Sequence, residues 1–129
     1  MNSNEIARQR IINQQLAGTK FKSAKEVVSL MGAMQAQDYA MSKWAIGVRL
    51  PNSTDEVIED AIDRGEIIRT HVMRPTWHLV SSDDVKWMLA LTFPHLRKSM
   101  KGRHKALGLT DQIFKKSNSI LEKSLAKKG

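Results

Sequence analysis

The sequence predicts a mainly α-helical fold with a small β-hairpin. Three observations lead to this class: two Ser-x-x-Glu spacings that favour helix starts, apolar residues that recur at helical intervals, and one stretch rich in Ile, Val, Thr and Trp. With 129 residues and a mass of 14.6 kDa, the chain can bury a hydrophobic core without disulfide support.

The first two helices are predicted by their caps. Helix one is expected over residues 4–17, with Asn2 or Ser3 as its N-cap. Helix two is expected to begin at the capping box Ser23–Glu26 and to carry an apolar stripe over residues 27–34. In both cases the cap satisfies amide groups that a helix start leaves unpaired.

Two more helices are expected before any strand. The third covers residues 40–50 and ends at Pro51, which cannot donate to the preceding turn. The fourth begins at a second capping-box spacing, Ser53–Glu56, and its apolar residues recur until Gly65.

The strand-forming residues come next. Residues 66–73 and 76–80 favour extended structure and are separated by Arg74 and Pro75, so they predict one hairpin. A fifth helix, capped by Ser81 or Ser82, should follow the hairpin and stop at Pro94.

A last helix is expected from Thr110 or Asp111 to the end of the chain. Its apolar residues lie on one side, so it must pack on the first domain or on a partner to cover them. The order of helices followed by a hairpin is the outline of a winged helix, a helix-turn-helix variant. We therefore expect a winged-helix domain at residues 1–94 and a basic segment at residues 95–129.

The positive charge is confined to the end of the chain. Residues 1–94 contain eleven bases and eleven acids, whereas residues 95–129 contain ten bases and two acids, a net charge of +8. Such a local excess is the footprint of a segment that binds a polyanion, and nucleic acid is the usual polyanion in the cytosol. A solvated basic face that aids solubility accounts for the charge equally well.

Cysteine usage and hydropathy restrict the location. The chain has no cysteine, which excludes disulfides and thiolate-bound zinc and favours a reducing, cytoplasmic setting. Its first residues lack the pattern of a signal peptide, and the apolar runs are too short to cross a bilayer. The four histidines show no metal-ligand spacing and no glycine-rich phosphate loop occurs, so neither a metal nor another cofactor is expected.

Two glutamines separated by one alanine, Gln35 and Gln37, need a special geometry if they serve one site. Residues two apart diverge on a helix, so helix two would have to end near them, or the site would have to wrap around the end of that helix. Such a terminus would be aimed at a ligand. Otherwise the two amides cap or bridge backbone groups between helices.

Three blocks in the same order carry a family resemblance: Gln35–Tyr39, Trp44–Arg49 and Arg69–Val80. With them the chain resembles the AlkZ-like winged-helix DNA glycosylases, bacterial proteins that include enzymes unhooking interstrand crosslinks. The similarity runs from about residue 5 to the end. It implies that the last helix opens a second winged-helix repeat and that this chain stops just inside it.

The resemblance also implies roles for individual residues. In AlkZ-like enzymes a Gln-x-Gln motif in the active site is thought to hold water and support the sugar, and Gln35 and Gln37 match it. A cationic alkylated base is already a good leaving group, so neutral amides that position water suffice. Asp38 next to them could activate the water as a general base, or it could serve a structural role at a helix end.

Thr76, Trp77 and His78 form the second candidate constellation. Strand alternation places Thr76 and His78 on one face and Trp77 on the other. Either Trp77 belongs to the core and His78 is a satisfied, partly buried imidazole, or His78 faces ligand. The resembled family has a Thr-x-His at this place, which implies a functional His78.

Double-stranded DNA is the expected partner. Side chains that could reach its phosphates or groove edges are expected on the third helix, the hairpin and the basic segment. They are Lys43, Arg49, Arg69, His71, Arg74, Thr76, His78, Arg97, Lys98, Lys101 and Arg103.

Three functions remain open on the sequence. The first is a DNA-binding module from a DNA glycosylase that acts on alkylated or crosslinked bases; since the family's catalytic channel is built from several repeats, we expect the fragment by itself to be inactive. The second is a non-catalytic winged-helix regulator. The third is a protein-interaction module that pairs through its last helix.

Overall fold

A computed structural model describes residues 2–18, 20–73 and 76–126. The chain divides into two compact units, one up to Phe93 and one from Pro94. The elements of the described part, in chain order, are α1 (Ser3–Asn13), α2 (Ala24–Met31), β1 (Ala33–Gln35), α3 (Tyr39–Gly47), α4 (Asp55–Asp63), β2 (Ile67–Thr70), β3 (His78–Ser81), α5 (Val85–Ser99), α6 (Lys101–Ala106) and α7 (Asp111–Ala126).

The predicted class is confirmed as a mainly helical fold with a small antiparallel sheet. β2 and β3 pair as the expected hairpin, with Ile67 opposite Ser81 and Thr70 opposite His78. β1 adds a third strand on the other side of β3, so the strand order is β1-β3-β2. The hairpin prediction is therefore right but incomplete.

The third strand corrects the expected end of helix two. α2 ends at Met31, and Gly32 follows with a φ of 77°, a left-handed value that glycine adopts without steric cost. The chain then becomes extended, and Met34 lies in β1 rather than on the helix. A three-residue strand has no periodic signal of its own in the sequence, since its only partner lies more than forty residues away.

The predicted caps are confirmed where the signal is local. Asn2 forms a complete capping box with Glu5, and the Ser23 hydroxyl accepts from the amide of Glu26 at 3.2 Å. The Glu26 carboxylate bonds to the Lys22 amide instead of the Ser23 amide. At α4 the capping residue is Thr54, one position later than expected.

The predicted helix stop at Pro94 is wrong. α5 continues through it to Ser99, although Pro94 has no amide proton and deprives the helix of one hydrogen bond. A short helix, α6, which begins at Lys101 and contains Gly102, was also not expected.

The core lies around the sheet of the first unit. Its larger cluster joins residues of α2, α3 and α4 to one face of the sheet, including Val27, Ile46, Ile58 and Leu79. A smaller cluster covers the other face through Val72, Val80 and Met88. Because β3 is buried along its whole length, the ends of β1 and β2 are held at fixed positions beside it.

The second unit is described through α6, α7 and the end of α5. The Arg97 guanidinium lies 3.0 Å from the Asp111 carboxylate, and the His104 ring contacts that of Phe114 at 5.1 Å between centroids. The apolar side chains of α7 are exposed: Ile113, Phe114, Ile120, Leu121 and Leu125.

Candidate active site

The two glutamines lie at the end of β1: Gln35 is its last residue, and Gln37 follows in a bend. Met34 and Ala36 are buried while Gln35 and Gln37 are exposed, which is the alternation of a strand. Both amides are therefore exposed to solvent. Helix two ends near the pair, as one shared site would require, because α2 stops at Met31.

Backbone pairing ties this segment to β3. Gln35 stands opposite His78, and the amide of Ala36 donates to the Trp77 carbonyl at 2.7 Å, one step beyond the end of β1. The amide of Trp77 in turn donates to the Gln37 side-chain oxygen at 3.4 Å. The Gln-x-Gln and Thr-x-His motifs, far apart in the sequence, are therefore neighbours in the fold.

Asp38 has a structural contact. Its carboxylate accepts from the amide of Met41 at 3.0 Å and forms the N-cap of α3. The hydrogen bond of the cap occupies one acceptor lone pair of the Asp38 carboxylate. Catalysis by Asp38 remains a prediction.

Strand alternation places His78 and Trp77 on opposite sides, and the buried residue of the two is His78. His78 is only 2% exposed at the start of the central strand, whereas Trp77 is 36% exposed and its ring contacts that of His71 at 4.1 Å between centroids, tilted by 34°. The interpretation of Trp77 as a core residue is thus wrong. The buried Thr76 hydroxyl has no hydrogen-bond partner among residues 2–18, 20–73 and 76–126.

Arg69 points towards the glutamine segment. Its Nε and Nη2 atoms donate to the Ala36 carbonyl at 3.1 and 2.9 Å, and its guanidinium lies over the rings of Tyr39 and Trp77. Sequence reasoning missed Tyr39 as part of this site. Its only signal was its position directly after the Gln-x-Gln-Asp block.

Lys43 and Arg49 make their polar contacts within the first unit. Lys43 is 8% exposed and its ammonium lies 2.7 Å from Asp55 and 2.6 Å from Glu59. Arg49 donates to the carbonyls of Gln14 and Ala45. Both side chains have protein partners, so we leave them out of the proposed DNA surface.

The remaining basic candidates differ in their surroundings. Lys98, Lys101 and Arg103 are exposed on α5 and α6, whereas Arg97 is paired with Asp111. His71 is exposed beside Trp77. Arg74 lies outside the described residues.

The contacts of Lys43 shift the titration of its neighbours. Hydrogen bonds from Lys43 and then from Tyr39 lower the pKa of Glu59 below its ordinary 4.5. Hydrogen bonds to Asp55 and Glu59 raise the pKa of Lys43, and burial followed by the bond to Glu59 raises the pKa of Tyr39. The network therefore favours the charged forms of Lys43 and Glu59 and the neutral phenol.

This network predicts a loss of stability in acid. Because the pKa of Glu59 is lower in the folded state, its stabilising effect is present above pH 4.5 and is lost as pH falls through the folded value. The urea midpoint of the wild type should therefore drop steeply below pH 4.5. The midpoint of Glu59→Gln should be lower than that of the wild type at pH 7 and should fall less as the pH decreases below 4.5. Glu122→Gln, on exposed α7, is the control, and parallel curves for wild type and Glu59→Gln would contradict the prediction.

The described part of the chain has neither a cluster of metal ligands nor a membrane-spanning helix. Within residues 2–18, 20–73 and 76–126, no group of three His, Asp or Glu side chains is placed to hold a metal ion. No helix in the same ranges is long and apolar enough to span a bilayer.

The fold and site together define a mainly helical protein with a three-stranded sheet that presents a glutamine pair beside a buried histidine. A family model described as DNA glycosylase AlkZ-like matches residues 28–123, well over half of the chain. The chain belongs to the AlkZ-like DNA glycosylase family, and the resemblance expected from its sequence motifs is confirmed. No curated protein and no solved structure matches it.

Proposed function

We propose that this chain is a winged-helix, DNA-binding module of DNA repair whose Gln35 and Gln37 take part in hydrolysing the N-glycosidic bond of alkylated or crosslinked bases. One observation carries the proposal. In a chain of the AlkZ-like family, both glutamine side chains are exposed at the end of β1, where backbone pairing places them beside the Thr-x-His motif.

The element order supports a winged helix. α2, α3 and α4 contact one another, β1 lies between α2 and α3 in the chain, and the β2–β3 hairpin follows α4 directly. A hairpin beside a small helical cluster is the arrangement that the winged-helix reading requires.

The chemistry suits neutral amides. When the C1′–N bond of a cationic alkylated nucleotide breaks, its electron pair returns to the base, which leaves neutral while the sugar becomes oxocarbenium-like. Water then adds at C1′ and loses a proton. Two exposed amides at the end of β1 can hold that water and stabilise the developing positive charge through their carbonyl oxygens.

The charge distribution restricts which surface meets the DNA. α4 carries Asp55, Glu56, Glu59, Asp60 and Asp63 and no base, so it would be repelled by phosphates in either groove. Exposed bases lie instead in the second unit, at Lys98, Lys101, Arg103 and Lys105. We place the electrostatic contacts there.

The deciding assay is release of an alkylated purine from duplex DNA by the full-length protein. Gln37→Ala should lower the single-turnover rate about 10- to 100-fold, since one of two water-holding amides is lost, and should leave DNA affinity within about twofold. Gln9→Ala, an exposed glutamine on α1, is the matched control.

The outcomes separate the competing functions. Undiminished release by Gln37→Ala would remove the catalytic assignment. Salt-dependent DNA binding without release would identify a regulator, and no DNA affinity at about 50 mM salt would favour a protein-interaction module.

A further inference from the structure

Arg69 makes a two-pronged contact with the backbone between the two glutamines. Nε and Nη2 donate to the same acceptor, the Ala36 carbonyl oxygen, at 3.1 and 2.9 Å. Hydrogen bonds from a charged donor are stronger than neutral ones, and two bonds from one planar group also fix orientation. The guanidinium thus restrains the peptide unit that links Ala36 to Gln37.

The backbone amide of Ala36 is also fixed by a hydrogen bond. This amide donates to the Trp77 carbonyl at 2.7 Å, and the Ala36 side chain is completely buried. Ala36 therefore has little freedom to rotate, and the directions of the flanking Gln35 and Gln37 side chains depend on these contacts.

The guanidinium is itself fixed by two aromatic rings. Its central carbon lies 5.3 Å from the centroid of Tyr39 and 4.7 Å from that of Trp77. Both distances are within the range of cation–π attraction. Tyr39 is in turn tethered, because its hydroxyl donates to Glu59 at 2.7 Å.

From this geometry we infer that Arg69 is a positioning residue that orients Gln35 and Gln37 by clamping the Ala36 carbonyl, and that it is not a phosphate ligand. This changes the role expected for Arg69 from the sequence, where it stood among the DNA-contacting bases. Its catalytic consequence rests on the proposed function, but the clamp itself does not.

Lysine is the informative replacement. It keeps the positive charge, so a phosphate contact would survive in large part, but a point-like ammonium cannot reproduce the planar two-bond contact or the stacking between rings. Arg64→Lys is the matched control, because Arg64 is exposed at the end of α4, where it pairs with Glu66.

The experiment compares wild type, Arg69→Lys, Arg69→Gln and Arg64→Lys in the full-length protein by three measurements. Hydrogen exchange at the Ala36 amide should accelerate about tenfold or more in Arg69→Lys, because release of the Ala36 carbonyl also weakens the bond from this amide to the Trp77 carbonyl. The slope of log K for duplex DNA against log salt should not change even in Arg69→Gln, which removes the charge. Single-turnover base release by Arg69→Lys should slow about tenfold or more at saturating DNA, with the affinity kept.

A fall of about 0.9 in the salt slope of Arg69→Gln would show a lost phosphate contact and overturn the inference. Unchanged exchange at Ala36 would overturn it equally. If the wild type releases no base or binds no DNA, the proposed function fails, and the exchange rate at Ala36 still decides the role of Arg69.

A measurement on the wild type tests the same inference without requiring that the Arg69→Lys variant folds. The Arg69 side-chain Nε–H signal should be shifted by the two ring currents and should stay in place when unmodified duplex is added. Movement of that signal on titration, in step with DNA binding, would mean that Arg69 contacts DNA and would overturn the inference.

Discussion

Replacing Leu79 by alanine is expected to destabilise the first unit by about 2–5 kcal/mol, the range for truncating a fully buried leucine. Leu79 has no exposed surface and lies in the central strand, opposite Met34 on one side and Arg69 on the other. It also contributes to the larger core cluster, so the loss leaves a cavity between the sheet and the helices. The free energy of unfolding of a domain of this size is only about 5–15 kcal/mol in total, so the substitution would remove much of its stability.

Urea unfolding followed by circular dichroism measures this effect. Leu30→Ala removes the same atoms from a leucine that is 60% exposed on α2, and we expect it to change the free energy of unfolding by less than about 0.5 kcal/mol. Equal midpoints for the two variants would mean that Leu79 is not in the core as described. The comparison also reports on the site, because Leu79 directly follows His78 in β3.

Neutralising the exposed bases of the second unit is expected to lower the affinity for duplex DNA by at least about 100-fold at 50 mM salt. The variant replaces Lys98, Lys101, Arg103 and Lys105 with glutamine. Each phosphate contact contributes about 0.9 to the slope of log K against log salt, so the loss of four should reduce the slope by about 3 to 4. Arg97 is left unchanged because its guanidinium is paired with Asp111.

A variant with the same change in net charge gives the control. Arg8, Arg10, Lys20 and Lys86 are exposed bases of the first unit, and their replacement by glutamine should leave the slope nearly unchanged. If both variants lose affinity equally, binding follows net charge alone. A larger loss for the first-unit variant would contradict the placement of the DNA surface.

Local signals in the sequence determined the parts of the fold that local physics controls. The N-caps at Asn2 and Ser23 were predicted because each capping side chain accepts from the backbone amide three residues later, a contact that needs no distant partner. The hairpin was predicted because β2 and β3 are close in sequence and rich in strand formers. The family was identified from motifs that need no structure to be recognised.

The parts that failed depend on distant partners. β1 exists because β3, more than forty residues later, supplies its hydrogen bonds, and α5 passes through Pro94 although a local rule ends it there. A DNA contact of Lys43 stays a prediction; the sequence shows the charge of Lys43, and only the structure shows its partners Asp55 and Glu59.

The sequence alone determined that Gln35 and Gln37 are a candidate pair, through their spacing and the family motif they match. Only the tertiary structure decided that both are exposed at the end of a strand, with Ala36 held between Arg69 and Trp77. The physical reason is that a three-residue strand is not stable by itself. Its conformation, and with it the direction of both amides, is fixed by hydrogen bonds to residues that the sequence does not place beside it.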